Sequence, residues 1–122
     1  MIYYLFIIVI HWIADFVFQD EKWAINKSKN NLALLSHTIV YSCIWLIPAF
    51  CLLGIENGTY FVLITFLAHT ITDYFTSKIV SKKFNKNQLG SSIPNLGAFS
   101  VIGFDQVLHY VQLFLTFYML NN

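Results

Sequence analysis

The chain has 122 residues, room for about one domain by the usual length prior. Its residues are 57% hydrophobic and 11% charged, against roughly 45–50% apolar and about 25% charged in ordinary globular chains. A soluble monomer this small has too much surface to hide that much apolar matter, and disorder needs the opposite composition. The net charge of +1 excludes the basic field that duplex nucleic acid requires of a partner. Cys43 and Cys51 lie too far apart along one helix to bridge each other, so no disulfide framework is expected. An integral membrane protein remains, with the lipid bilayer as its first partner.

Four apolar runs support that class. The first covers residues 2–18 and is interrupted by His11 and Asp15, with Gln19 in its last turn. The others predict helices over about 32–53, 59–79 and 98–120. Each is near the ~20 residues that a helix needs to cross a hydrocarbon core. The fold class expected is therefore all-α: a polytopic bundle of four transmembrane helices (2–19, 32–53, 59–79, 98–120) forming a single domain over 1–122. No run alternates strictly enough for a lipid-facing barrel strand. The start of the chain lacks the basic region and cleavage pattern of a signal peptide. Residues 20–30 form a polar connection, 54–58 with Asn57-Gly58 a tight turn, and 81–97 a longer loop punctuated by Pro94 and Gly97. Pro48 falls inside the second span and is expected to bend it.

All seven basic residues are lysines, at 22, 27, 29, 78, 82, 83 and 86. They cluster in or beside the first and third connections, with none in the second or at the C-terminus. The positive-inside rule then predicts an inner-membrane, multi-pass protein with both Lys-bearing loops cytoplasmic and both termini outside.

All four histidines and three of the aspartates fall inside apolar runs: His11, Asp15, His37, His69, Asp73, Asp105 and His109. An ionisable group at the bilayer centre costs roughly 2.5–3.5 kcal/mol on insertion scales, so seven require one another. His11–Asp15, His69–Asp73 and Asp105–His109 are each four apart, which puts each pair on one helix face. With a rise of ~1.5 Å per residue, all seven sit roughly 6–17 Å from the cytoplasmic boundary. The segment His11-Trp-Ile-Ala-Asp15-Phe16 also parallels His69-Thr-Ile-Thr-Asp73-Tyr74, and His37 parallels His109. Two repeated helical hairpins are expected, related by an axis along the membrane normal.

Imidazole and carboxylate are the ligand set of Zn²⁺ and of divalent Mn or Fe. Seven such groups exceed the needs of one ion, which leaves room for two metals or for carboxylates that orient imidazoles. Two other uses remain open for the cluster: hydrogen bonding between helices without metal, and a proton or ion path. Gln19 and Gln106, each beside a motif, are expected to hydrogen-bond the ligands. The aromatic residues read as lipid-facing bulk and interfacial anchors.

The ordered set His11-x-x-x-Asp15-Phe16-x-x-Gln19, Asn26-Lys27, His37, His69-x-x-x-Asp73 and Asp105-Gln106-x-x-His109 resembles the family called domain of unknown function 3307. These are small integral membrane proteins of bacteria and their phages. The likeness covers nearly the whole chain. More distantly it resembles membrane-bound metal-dependent hydrolases that carry HxxxD motifs in transmembrane helices. That second resemblance implies a bound metal, hydrolysis, and the motif His and Asp as ligands.

Taken together, these features predict a divalent metal, Zn first and Mn or Fe as alternatives, held by His11, Asp15, His37, His69, Asp73, Asp105 and His109. Asp15 is the expected ligand or general base, and Lys27 the residue for an anionic headgroup. The expected activity is hydrolysis of an amphipathic or lipid-like substrate entering from the bilayer. The alternatives are a non-catalytic, phage-type membrane accessory protein with a structural polar cluster, and an ion- or proton-conducting protein. Association with further copies is compatible with either.

Overall fold

The computed structural model describes residues 1–90 and 92–122. Among them there is no strand. Helix α1 (Ile2–Trp12) runs without a break into a π-helical turn, Ile13–Val17, closed by Phe18 N–H donating to Ile13 O at 3.0 Å. A short helix α2 (Glu21–Asn26) occupies most of the polar connection, and Asp20 caps it by accepting from Lys22 N–H at 2.7 Å. Helix α3 (Asn31–Asn85) is capped in the same way by Asn30, which accepts from Leu32 N–H at 2.8 Å. Helix α4 is Ala98–Leu120.

At 55 residues α3 would be about 80 Å long if straight, far beyond a hydrocarbon core of ~30 Å. It does not run straight. Gly54, at φ 77° and ψ 175°, leaves helical geometry and turns the chain back. This backbone region is essentially reserved for glycine. The two limbs, 31–53 and 55–85, then face each other, with Trp45 and Phe61 rings 5.3 Å apart. The turn expected over 54–58 is thus concentrated at Gly54, while Asn57 and Gly58 already lie in the second limb. Gly58 has its own reason to be small. A Cβ there would stand 3.0 Å from the Ala49 backbone and 2.7 Å from the Phe50 ring. Asn57 donates to Leu120 O at 2.9 Å, satisfying a carbonyl at the end of α4. Helical dihedrals continue through Pro48.

The surface is inverted relative to a soluble bundle. On the second limb of α3, Leu63, Leu67, Ile71 and Phe75 are each more than half exposed, whereas Thr65, His69, Asp73 and Thr76 are buried. Apolar outside and polar inside is the arrangement suited to lipid as solvent. Two helices, α3 and α4, are long and apolar enough to cross a membrane. The apolar stretch Ile2–Val17 is shorter. At one end the core is apolar, built from Ile7, Tyr41, Trp45, Ala49, Phe61, Leu113 and Phe117. Beyond it the interior becomes charged.

Candidate metal centre

The seven ionisable side chains expected to meet do so. His11, Asp15, His37, His69, Asp73, Asp105 and His109 are all buried. Helical spacing brings each motif pair onto the inner face of its helix. The Gly54 reversal then places His37 and His69 opposite each other, Nε2 to Nε2, at 3.2 Å.

Four of these groups come close together. Asp15, His37, His69 and Asp73 each offer one ligand atom, and the four atoms lie within 4.8 Å of one another. Asp15 Oδ1 is 3.1 Å from His37 Nε2 and 3.4 Å from His69 Nε2. Asp73 Oδ2 is 3.4 and 3.8 Å from the same nitrogens. With Zn–N bonds of 2.0–2.1 Å, the edge of a tetrahedron is about 3.3–3.4 Å. The separations of the two nitrogens from each other and from the two carboxylates bracket that edge. Despite its short contacts, Asp15 Oδ1 has no hydrogen-bond partner.

A second, smaller group shares Asp73. Its Oδ1 lies 3.2 Å from His109 Nε2, which in turn lies 3.3 Å from Asp105 Oδ2. Asp105 is steadied by Thr76, whose hydroxyl donates to Oδ1 at 2.6 Å.

His11 stands apart from both groups. The Gln106 amide nitrogen donates to Oδ2 of Asp15 and of Asp105, both at 3.1 Å. Its carbonyl oxygen therefore accepts from His11 Nε2–H at 2.9 Å, and His11 Nδ1 accepts from the Tyr41 hydroxyl at 2.8 Å. Both imidazole nitrogens are thus engaged, and His11 acts through its neighbours. The π turn contributes here: Asp15 Oδ1 reaches His37 and His69, while Oδ2 is 3.8 Å from His11. Single π turns of this kind are frequent at functional sites.

Lys27, at the end of α2, places Nζ 2.6 Å from Asp73 Oδ2. Burial alone would lower the pKa of its ammonium, but the carboxylates of Asp73 and Asp15 outweigh burial and hold it above the ordinary lysine value. Beside this ion pair lies a cavity of about 480 Å³, reaching Asp15, Asp73 and Asp105 at its polar side.

Several site residues carried no strong signal in the sequence. Tyr41 supports His11 and stacks flat on the His69 ring, with centroids 3.8 Å apart. Tyr41 lies four residues after His37 and Thr76 seven after His69, so helical spacing alone would have found them. Hydroxyl residues are common enough in apolar helices that spacing without charge attracts no notice. Gln112, which donates to Thr65 and Thr116 at 3.1 Å, was hidden in the same way. Gln19 makes no hydrogen bond through its Oε1.

Fold and site together define a class: a helical bundle with an apolar exterior and a buried His/Asp cluster able to hold a metal ion. Residues 2–122 match the family described as Protein of unknown function (DUF3307), and the chain belongs to that family. No curated protein and no solved structure matches it. The resemblance to membrane-bound hydrolases rests on the HxxxD motifs alone.

Proposed function

We propose that this chain is a four-span membrane protein that holds a divalent cation in its His/Asp cluster and hydrolyses an amphipathic, lipid-like substrate. The observation that carries the reading is the gathering of His37, His69 and Asp73 with ligand atoms 3.2–3.8 Å apart, and the Asp15 carboxylate 3.1–3.4 Å from both imidazoles. Two imidazoles with carboxylates at that spacing suit Zn²⁺ first, and Mn or Fe after it. Bound there, the ion would supply Lewis acidity to the side of the cavity.

The chain's own residues do the rest. His37, His69 and Asp73 would hold the ion, a two-imidazole, one-carboxylate set of the kind found in catalytic zinc sites. Asp105 and His109 extend the cluster through the shared Asp73 carboxylate. Gln106, itself held by His11, fixes the Asp15 carboxylate through Oδ2. Asp15 Oδ1 accepts the proton given up by water as the water oxygen bonds to the ester or phosphate centre. That proton then leaves on the departing oxygen, so that one water is consumed and an acid and an alcohol are released.

The four spans of this reading are Ile2–Val17, the two limbs of α3, and α4. The lysine asymmetry supports cytoplasmic loops at 20–30 and 81–97, with both termini outside. The duplicated hairpin finds support in matched pairs. His37–Asp15 and His109–Asp73 are 3.1 and 3.2 Å apart, and the His37/His69 and His11/His109 ring centroids are 5.3 and 5.4 Å apart. Conduction is disfavoured because the polar interior, after Gln112, Thr65 and Thr116, ends against Trp45, Phe61 and Phe117.

Elemental analysis of protein purified in detergent with Zn²⁺ tests the reading. Wild type is expected to retain the ion and His69→Ala to lose it. Asp15→Asn is expected to keep ion and fold while losing hydrolysis of a lipid ester or phosphate. A wild type that takes up no divalent ion overturns the proposal in favour of a structural hydrogen-bonded cluster. If every inactive variant has also lost metal or fold, the site is a structural metal centre.

A further inference from the structure

Around the cavity stand polar groups that the metal cluster does not use. Gln19 Oε1, Ser28 Oγ and Ser77 Oγ are buried and have no hydrogen-bond partner, and all three residues line the cavity beside Lys27. They come from three separate places: the turn after the π helix, the turn after α2, and the second limb of α3. Buried polar atoms are nearly always paired in folded proteins, so unpaired ones on three residues that line one cavity leave groups that a side-chain rotation can offer to an occupant. Each can donate, the Ser residues through their hydroxyls and Gln19 through the amide nitrogen that a flip of its side chain presents.

The charge of the cavity limits what that occupant is. Asp15, Asp73 and Asp105 face Lys27, so three carboxylates oppose one ammonium and repel any anion until cations offset them. Lys27 is also tied to the system that must change. It contacts Oδ2 of Asp73, the same oxygen that belongs to the tetrahedral group. A divalent ion taking that oxygen would repel the ammonium and free it for a ligand in the cavity.

We propose that the cavity binds the phosphate head of a membrane amphiphile, through Lys27, Ser28, Ser77 and Gln19, once divalent cations occupy the His/Asp cluster. Donors arriving from several directions, headed by a lysine point charge, suit a tetrahedral oxyanion better than a planar carboxylate, which favours an arginine fork. The chain contains no arginine. A volume of about 480 Å³ accommodates a head group and the first carbons of a tail. The rest of the tail has an exit, because Phe16, Ile25 and Phe84 line the cavity and are each more than two-fifths exposed. This inference rests on the metal-centre reading and names its substrate class. Coupling is reciprocal: cation binding strengthens phosphate binding, and phosphate strengthens cation binding by the same factor.

Calorimetry on the full chain in detergent tests it, using dihexanoyl phosphatidic acid, dihexanoyl phosphatidylcholine and inorganic phosphate as probes. Protein loaded with stoichiometric Zn²⁺ is expected to bind the phosphatidic acid at least tenfold tighter than chelator-treated protein does, and tighter than it binds phosphatidylcholine. The double variant Ser28→Ala/Ser77→Ala is expected to keep its zinc content and melting temperature while losing tenfold or more in phosphatidic acid affinity. Lys27→Gln is expected to lose phosphate affinity and to gain Zn²⁺ affinity. Equal binding with and without zinc, or no change in the double variant, overturns the proposal. Inorganic phosphate binding as tightly as phosphatidic acid overturns the membrane source of the ligand. Failure to take up zinc sinks the metal centre as well, whereas zinc uptake without phosphate binding sinks this inference alone.

Discussion

His11 and His69 open the two HxxxD motifs, yet their ring nitrogens are used differently. His69 Nε2 faces His37 and both motif carboxylates, whereas His11 spends both nitrogens on Tyr41 and Gln106. Substituting His69 with Ala is therefore expected to remove metal binding. His11→Ala is expected to keep the metal but to orphan the Tyr41 hydroxyl and the Gln106 carbonyl, at about 1–3 kcal/mol for each buried group left unpaired. Metal stoichiometry and thermal melting of the two variants, measured side by side, check the contrast. Loss of metal in His11→Ala with fold intact would return His11 to the ligand set. At this scale the charged members of the site were legible because an ionisable group in an apolar helix is costly wherever it stands. Their division into converging groups was not, since i,i+4 spacing says which face a side chain occupies and nothing about which partner its nitrogen meets. Ser28 and Ser77 were illegible for a simpler reason: a serine in a helix or beside its end has many ordinary uses.

Helices were easier to read than the irregularities that position the site. The apolar runs pointed to helical segments, but the π turn at Ile13–Val17 has no sequence signature, and it is this turn that carries Asp15. The reversal between the limbs of α3 was visible as a Gly-rich segment, and its two glycines serve separate needs. Gly54 needs its backbone angles: a Cβ there meets nothing within 4 Å, so Gly54→Ala is expected to cost about 1–3 kcal/mol of backbone strain and no clash. Gly58 needs its size, since an added Cβ meets the Ala49 backbone. Gly58→Ala is expected to push the limbs apart and, because His37 and His69 sit on opposite limbs, to weaken metal binding along with stability. Melting temperature and zinc affinity separate the two variants. Stability should fall in both, and zinc affinity chiefly in Gly58→Ala. Equal zinc affinities in the two would show that the limbs accommodate a methyl group without moving the cluster.

The whole molecule joins a lipid-suited exterior to a charged interior, and each half of that design makes a demand on the other. Buried carboxylates and imidazoles in an apolar-coated bundle destabilise it unless something balances them. Lys27 offsets one of three cavity carboxylates, and the remainder calls for cations. If those cations are divalent metal, folding and metal binding are linked. An ion that binds only the folded state stabilises it by mass action, by about 2.7 kcal/mol at a hundred times its dissociation constant. Chelator should therefore lower the melting temperature of detergent-solubilised protein, and added Zn²⁺ should restore it. The effect should fade in acid, because imidazoles that take up protons no longer bind metal and carboxylates follow them at lower pH. In His69→Ala the melting temperature should be the same with and without chelator. A cluster that only ties helices together makes the opposite forecast: no response to chelator in wild type, and a cost of about 0.6–2 kcal/mol for each polar contact removed. If the lysine asymmetry orients the chain as proposed, it also decides the side of the membrane from which such an ion would arrive. A reporter fused after Asn122 should read non-cytoplasmic and one inserted near Asn85 cytoplasmic, which places the cluster within reach of the cytoplasmic metal pool. Reversed readings at both positions would move the site to the outer leaflet, where a chelator unable to cross membranes would strip the ion from intact cells.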